Sequence, residues 1–389
     1  MNELRNRPSS RAAIANFLAM EMAREAAARA AAGERIIRFD VGQPCFSAPP
    51  EALAAVRAKL DRDALGYTEA LGAAALRARI ARHYDEAYGL VLSPERIIIT
   101  TGASGAFTLA FLALFESGDR VAMAAPGYPP YRHILTALGM RAALAQAGAN
   151  DRLQLQARHI EDLAAQAPLA GVLLASPANP TGAMLTDDEL AALAACARGL
   201  NLPLISDEIY HGLTYERPAT SALAVDPDAI IINSFSKYWA MTGWRVGWIV
   251  APPALVAPIE RLAQNLTVSP PHISQIAALA ALDAGAECER RRALYARNRA
   301  HLLATLPELG LTLAAPADGA FYMLVDVSAH SDDSLAFCKR ALVEAGVALT
   351  TGVDFDEARG RHWMRIAYAR APEEVEEGVA RLRRWLAGA

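Results

Sequence analysis

Cysteine is scarce in this chain and scattered. Cys45, Cys196, Cys288 and Cys338 lie far apart with no C-x-x-C pair, so neither a disulfide framework nor a structural zinc site is expected. The 8 histidines show no ligand spacing either, and no metal is expected. No charge of one sign dominates: Lys+Arg 38 against Asp+Glu 42 leave a net charge of −4. There is no basic excess to draw nucleic acid or an anionic membrane surface. No uncharged apolar run reaches the length of about 18 residues that a membrane span needs. Arg5, Arg7 and Arg11 precede an apolar stretch from Ala12 to Met20, but Glu21, Arg24 and Glu25 interrupt it at once. That is too soon for the core of a signal peptide. The better reading is an Ala-rich amphipathic helix from about Arg11 to Ala32, ended by Gly33. These absences describe a globular protein of the cytoplasm.

With 389 residues, 53% of them apolar, the chain is long enough for a large core and a smaller companion unit. Short β-branched runs alternate with Ala/Leu-rich helical patterns through its middle. The candidate strands are Ile97 to Thr101, Val121 to Ala125, Gly171 to Ala175, Leu204 to Ser206, Ala229 to Asn233 and Val246 to Val250. All are apolar on both faces, as expected of a largely parallel sheet covered by helices on each side. Helical patterns run from Gly105 to Phe115, Tyr131 to Leu138 and Thr186 to Arg198, the last opening on the capping-box sequence Thr186-Asp-Asp-Glu189. The expected fold is therefore doubly wound α/β.

From Gly285 the pattern changes. A long charged helix to about Leu306, a strand from Phe321 to Val327, a helix from Ser334 to Ala345 and a strand from Trp363 to Tyr368 suggest an α+β unit. We expect a large domain over 46–285 and a small one built from 1–45 and 286–389. No repeat or low-complexity linker interrupts them.

Chemistry concentrates at the ends of the expected strands. In Asn233-Ser-Phe-Ser-Lys237 a lysine follows a buried strand, flanked by hydroxyls, with Arg245 close behind. Lysine condenses with carbonyls when its amine is kept neutral. Ser234, Ser236 and Arg245 are groups that would hold a phosphate. Alone, the lysine would read as an exposed loop residue. Asp207 closes another apolar strand, where ligands bind in open α/β sheets; it suits a protonated pyridine nitrogen, or else merely caps a following helix. Glu208 is expected to serve structure. Tyr210 lies one helical turn beyond Asp207. Ser176-Pro-Ala-Asn-Pro-Thr-Gly182 specifies a rigid turn that would fix Asn179. Thr101-Gly-Ala-Ser-Gly105 is a small-residue loop whose N–H groups and Ser104 suit a phosphate at a helix N-terminus.

Together these segments resemble the class I/II aminotransferases, pyridoxal 5′-phosphate (PLP) enzymes of fold type I. The resemblance runs from about Phe39 to Ala369. In order, its motifs are Gly42-Gln-Pro44, Gly66-Tyr-Thr68, Thr101-Gly-Ala-Ser104, Pro126-Gly-Tyr-Pro129, Asn179-Pro-Thr-Gly182, Asp207-Glu-Ile-Tyr210, Ser234-Phe-Ser-Lys237, Gly243-Trp-Arg245 and Arg365-Ile-Ala367. It implies an α/β fold with a largely parallel sheet between helices and a small α+β domain. It implies transfer of the α-amino group of an L-amino acid to a 2-oxo acid. Lys237 looks like the lysine of the internal aldimine, and Asp207 like the partner of the pyridinium nitrogen. Tyr210 and Asn179 resemble the donors to the cofactor's phenolic oxygen. Ala103, Ser104, Ser234, Ser236 and Arg245 match the phosphate cup, and Tyr128 the aromatic stacked on the ring. Tyr67 matches a tyrosine that reaches the phosphate of a neighbouring subunit, which implies a homodimer with composite sites. Arg365 resembles the arginine that grips the substrate carboxylate, with Gly42 a backbone contact to the same group and Asn179 beside it.

The sequence departs from the family pattern in places. Ala178 stands where a second Asn is frequent, and Gly352-Val-Asp-Phe355, after Thr351, stands where many members have Pro-Gly-x-x-Phe. The phosphate loop offers Ser104 without a lysine, which disfavours aspartate as substrate. Arg5, Arg7, Arg11 or a partner-chain arginine would have to supply a cation for a second carboxylate. Phe46, Trp239 and Tyr128 would favour an aromatic or aliphatic substrate, and Cys45 reads as a packing residue. The same scaffold also serves C–S β-lyases, and a catalytically silent PLP-binding protein is the remaining alternative.

Overall fold

A computed structural model describes residues 7–388, so Arg5 and the first residues of the expected small domain lie outside the described residues. A seven-stranded sheet fills the middle of the molecule. Its strands are β1 (Ile97–Thr100), β2 (Arg120–Ala125), β3 (Arg141–Gln146), β4 (Gly171–Ala175), β5 (Leu204–Asp207), β6 (Ile230–Ser234) and β7 (Gly247–Val250), in the spatial order β1-β7-β6-β5-β4-β2-β3. Only β7 runs antiparallel to its neighbours. Alternate side chains of each strand enter different apolar clusters: Ile97, Ile99, Val172, Leu174 and Trp248 on one side, Ile98, Leu173, Ile205 and Ile249 on the other. This period of two, with both faces buried, is why the strands read as unbroken apolar runs. Each such buried side chain stabilises by roughly 1.5–3 kcal/mol relative to an exposed position.

Six of the seven strands coincide with the expected runs to within a residue or two at the ends. The seventh, β3, was not anticipated. It is an outer strand of sequence Arg141-Ala-Ala-Leu-Ala-Gln146 whose exposed and buried residues alternate, and alanine has little strand propensity to give it away.

The first helix, α1, spans Leu18–Ala31 and not Arg11–Ala32. Residues 13–17 are irregular and lead to Phe17, whose carbonyl accepts the N–H of Met20 at 2.9 Å. Gly33, with φ +95°, follows the end of the helix as expected. Helix α2 covers Gly102–Leu114 and α3 covers Pro129–Ala137. The helix Asp187–Gly199 opens on the anticipated capping box: the Thr186 hydroxyl accepts the Glu189 N–H at 3.2 Å, and the Glu189 carboxylate accepts the Thr186 N–H at 2.7 Å. The long charged helix is Gly285–Thr305. The helix starting at Ser334 is α-helical only to Arg340, and Ala341–Ala345 forms a wider π-type turn. Helices at Pro50–Leu60, Ala74–Tyr88, Ala157–Gln166, Pro253–Leu266, His272–Ala281 and Pro372–Ala387 were not anticipated.

A second, antiparallel sheet holds β8 (Thr312–Leu313), β9 (Tyr322–Asp326), β10 (Thr350–Thr351) and β11 (Trp363–Ala367), in the order β10-β11-β9-β8. The N-terminal segment joins this part of the chain, since Ile37–Arg38 pairs in parallel with Val347–Ala348. Met22, Ala26, Ile37 and Phe39 share an apolar cluster with Tyr322, Met323, Ile366 and Val379. Among the described residues, no helix is long and apolar enough to cross a membrane.

The capping box yields a test of local stability. Thr186→Ala should destabilise the protein by about 1 kcal/mol, the usual loss of a helix N-cap, read as a lower denaturant midpoint. An unchanged midpoint would mean the box contributes nothing.

Candidate active site

The register of the sheet brings the chemistry to one edge. Ser234 at the end of β6 lies opposite Gly247 at the start of β7, and Thr100 at the end of β1 lies opposite the same glycine. Because β7 returns antiparallel, the connecting loop 235–246 stays at the carboxyl ends of β1 and β6, carrying Lys237 and Arg245 with it. Ala175 and Asp207 are likewise paired at the ends of β4 and β5. A pocket of about 310 Å3 opens there, lined by Gly42, Ala103, Ser104, Tyr128, Asn179, Asp207, Tyr210, Ser236, Lys237, Arg245 and Arg365. A larger cavity, about 410 Å3, is walled by His83, Tyr88, His211 and Tyr238, and holds none of the lysine, aspartate and arginine residues of this pocket.

Of the expected cofactor contacts, Ser234 and Tyr67 do not line this chain's pocket. Ser234 is fully buried behind Ser236: its hydroxyl accepts the Ser236 N–H at 3.0 Å and donates to the Ser236 hydroxyl at 2.8 Å. It therefore orients Ser236 and does not face the pocket itself. Tyr67 is 86% exposed and away from this chain's pocket. Phe46 also lies elsewhere, its ring tilted against Tyr295 at 6.0 Å and beneath the Arg291 guanidinium. Trp239 is core, packed against Phe235 and Trp248. Cys45, Arg7 and Arg11 are exposed and do not line the pocket.

Asp207 is 3% exposed. One carboxylate oxygen accepts the Ile209 N–H at 3.1 Å, and the other accepts the Tyr131 hydroxyl. A turn follows it, not a helix, so the capping alternative falls away. Burial pushes its carboxyl up to about 6, against the opposing pull of Tyr131, the Ile209 N–H and the Lys237 charge. Lys237 donates to the Gly42 carbonyl at 2.6 Å. Burial, then the positive charges of Arg365 and Arg245, bring its amine down to about 8.

Glu208 points away from the pocket, as expected. Its carboxyl accepts the Ser221 hydroxyl at 3.0 Å and the Ala222 N–H at 2.8 Å. His211 Nδ1 approaches it at 3.6 Å, but burial pushes Glu208 up to about 8 and His211 down to about 4. Both shifts favour the neutral forms of the pair.

Arg365, 3% exposed, donates to the Asn179 side-chain oxygen at 2.8 Å and to the Asp40 carbonyl at 2.6 Å. Its guanidinium lies between the rings of Tyr322 at 4.5 Å and Phe355 at 4.8 Å. The Asn179 oxygen is thus engaged, which leaves its NH2 end as the donor. Tyr210 and Tyr322 share a hydroxyl–hydroxyl bond of 2.8 Å. A Cβ on Gly42 would sit 1.7 Å from the Tyr322 hydroxyl, so only glycine allows that ring so close.

The residues fit a phosphorylated pyridine aldehyde on several independent grounds. Gly102, at the start of α2, has φ +74°, and a Cβ there would lie 2.5 Å from the Arg245 guanidinium. Glycine thereby leaves a cradle of helix N–H groups, Ser104, Ser236 and Arg245 for a phosphate. Arg365 Nε is buried without a partner, an N–H that a carboxylate would satisfy. Asp207 retains acceptor capacity for a cationic ring nitrogen. Tyr131, Tyr322, Phe17 and Met20 also line the pocket and were not expected there. The only signal for Tyr131 is its place three residues after Tyr128 at the start of a helix.

Comparison with known proteins agrees. The family model for aminotransferase class I and II matches residues 34–382. The valine–pyruvate aminotransferase of Mycobacterium tuberculosis is 44% identical over 385 residues, 98% of this chain and 99% of its own. The crystal structure of an aminotransferase from Mycobacterium tuberculosis superposes with TM-score 0.96 at 43% identity, covering 99% of this chain and 100% of that one. Aspartate aminotransferase from Thermus thermophilus with maleate gives TM-score 0.92 at 30% identity, over 97% of this chain and 99% of that one.

The lowered amine of Lys237 predicts a pH profile. A depressed pKa means the neutral, nucleophilic form predominates above about 8 and not above the ordinary 10.5. Capture of the cofactor aldehyde by the cofactor-free protein, followed by its visible absorbance, should rise with pH and level off just above that value. Arg365→Ala should move the midpoint upward by removing a repelling charge. A rate still climbing beyond pH 10 would contradict the assignment.

Proposed function

This chain belongs to the class I and II aminotransferases, and we propose that its strand-end pocket takes the amino group from an apolar, aliphatic amino acid and passes it to a small 2-oxo acid. Its cofactor is pyridoxal 5′-phosphate and its fold is that of fold type I. When bound, the cofactor supplies a conjugated, protonated ring that takes up the electron pair released at the substrate's α-carbon.

The protein's own residues do the rest. Asp207 holds the proton on the ring nitrogen, and Tyr131 fixes the carboxylate's position by occupying its other oxygen. Tyr128 supplies a flat apolar face for the ring, while Asn179 and Tyr210 donate to its phenolic oxygen. Ala103, Ser104, Ser236 and Arg245 hold the phosphate. Lys237 carries the cofactor, and its amine, once free, removes the proton from the substrate α-carbon and returns one in the reverse direction. Arg365 takes the substrate carboxylate; with its ring contacts and its bonds to Asn179 and Asp40 already made, it pays little ordering entropy on binding.

One observation carries the substrate class. Lys237, Arg245 and Arg365 are the basic side chains lining the pocket among the described residues, and each already has a task. None remains for a second carboxylate, while Phe17, Met20, Phe107 and Ile134 offer apolar surface. The name of the 44% identical relative, which pairs valine with pyruvate, supports the same reading.

Tyr67, exposed as it is, suits a contact to the partner's phosphate in a homodimer with composite sites. Four free cysteines suit a reducing cytoplasm. The pairing of Ile37–Arg38 with Val347–Ala348 supports a large domain over 46–285 and a small one from 1–45 and 286–389.

Borohydride reduction of the loaded enzyme should lock the cofactor onto the peptide carrying Lys237. Lys237→Ala should lose the visible band, with turnover falling by at least about 10²–10⁴-fold; wild-type activity in that variant, or an adduct on another peptide, would end the assignment. Mixing the loaded enzyme with single amino acids tests the substrate class. Valine and its aliphatic neighbours should bleach the visible band with kcat/KM at least about tenfold above aspartate and glutamate. Equal or faster reaction of the dicarboxylates would overturn the apolar reading.

A further inference from the structure

The turn that departs from the family pattern, Gly352-Val-Asp-Phe355, carries a buried carboxylate with an unusual reach. Asp354 is 2% exposed. Its two oxygens accept the N–H groups of Leu18 at 3.1 Å and Ala19 at 2.9 Å, more than three hundred positions away in sequence. Those N–H groups belong to the first turn of α1, where a helix has no internal acceptors and its dipole favours an anion. The same turn of chain holds Phe17, Ala19 and Met20 against the pocket, and Phe17 meets Tyr128 edge-on at 6.1 Å. On its other side, the Asp354 carbonyl accepts from Arg132 at 2.8 Å, on the helix that bears Tyr131. The next residue, Phe355, packs under the Arg365 guanidinium. One short loop therefore meets the pocket wall, the carboxylate-binding arginine and the helix that supports Asp207.

We propose that Asp354 is a positioning residue for substrate recognition: its carboxylate caps α1 from outside the helix and holds Phe17 and Met20 against the side chain of the bound amino acid. The inference rests on the pocket being the amino-acid site. The irregular run 13–17 ahead of α1 is largely exposed, so this cap is a hydrogen-bonded tie between the first turn of α1 and the rest of the site. The strand-end residues that hold the cofactor and move the proton do not depend on that tie.

The test uses the loaded enzyme with two variants. Asp354→Asn keeps the shape and removes the charge. Leu18→Pro keeps the carboxylate and removes one of its donors, at a helix position where proline is well tolerated. In both, KM for valine should rise about tenfold and KM for alanine less, with kcat within about threefold and the visible band unchanged. Amide exchange should quicken in residues 18–24 and not around Lys237. Combined with Phe17→Ala, the effect of Asp354→Asn on kcat/KM should be less than additive. Unchanged KM and exchange would overturn the proposal, as would exchange that quickens throughout the chain, which marks a merely structural role. If the parent enzyme responds to no amino acid, the functional reading fails instead, and the exchange measurement still decides whether Asp354 holds the segment.

Discussion

Burial of charge is the constraint on which this site depends. Lys237, Asp207 and Arg365 are all withdrawn from bulk water at the strand ends, and each ion loses several kcal/mol of hydration on the way. The protein offsets that loss incompletely. Asp207 receives one hydroxyl and one N–H, Lys237 one carbonyl, and Arg365 two acceptors with Nε left over. The unmet remainder is what makes the pocket a receptor. Three cations face one carboxylate, so the pocket is electropositive and is best completed by the phosphate and carboxylate groups of its ligands.

That arrangement follows from topology as much as from residue type. If β7 were parallel to β6, the connection between them would have to cross to the opposite edge of the sheet. Lys237 and Arg245 could not then both remain beside the end of β1. The antiparallel return keeps an eleven-position span from Ser234 to Arg245 at one edge, where Gly102 and Ser104 open the neighbouring helix. The exception in an otherwise parallel sheet is what brings the amine and the phosphate cradle together.

Strand-end motifs were legible in the sequence because their information is local. Lys237 follows its own strand, Asp207 ends its own strand, and Asn179 sits in a turn set by its own prolines. Fully buried strands announce themselves by apolar runs, and the capping box at Thr186 by spacing alone. What escaped was set by distant pairing. Tyr131 reaches Asp207 across 76 positions, and Tyr210 meets Tyr322 across 112. No local pattern tells a buried tyrosine in a strand from one that faces a ligand. The extent of α1 escaped for the same reason. An Ala-rich stretch would start a helix anywhere, but the acceptor that fixes its first turn lies in the loop at Asp354. Ser234 differs for a related reason: its motif pairs it with Ser236, but its hydroxyl is taken up inside the protein by Ser236 and the Val246 carbonyl, bonds that spacing alone does not reveal.

Chemistry and recognition are consequently carried by different kinds of structure. In the reading proposed above, Asp207 ends a strand and Lys237 sits on the loop directly after one, and those strands interlock on both faces, where moving one disturbs two cores. The apolar wall comes from the start of α1, where Met20 is 57% exposed and Phe17 touches the site through a single aromatic edge. A substitution at Phe17 or Met20 alters what the pocket encloses without opening a cavity in either cluster. Relatives named for substrates as different as valine and aspartate are consistent with that division, since the side-chain wall can change while the buried charges stay where the sheet puts them.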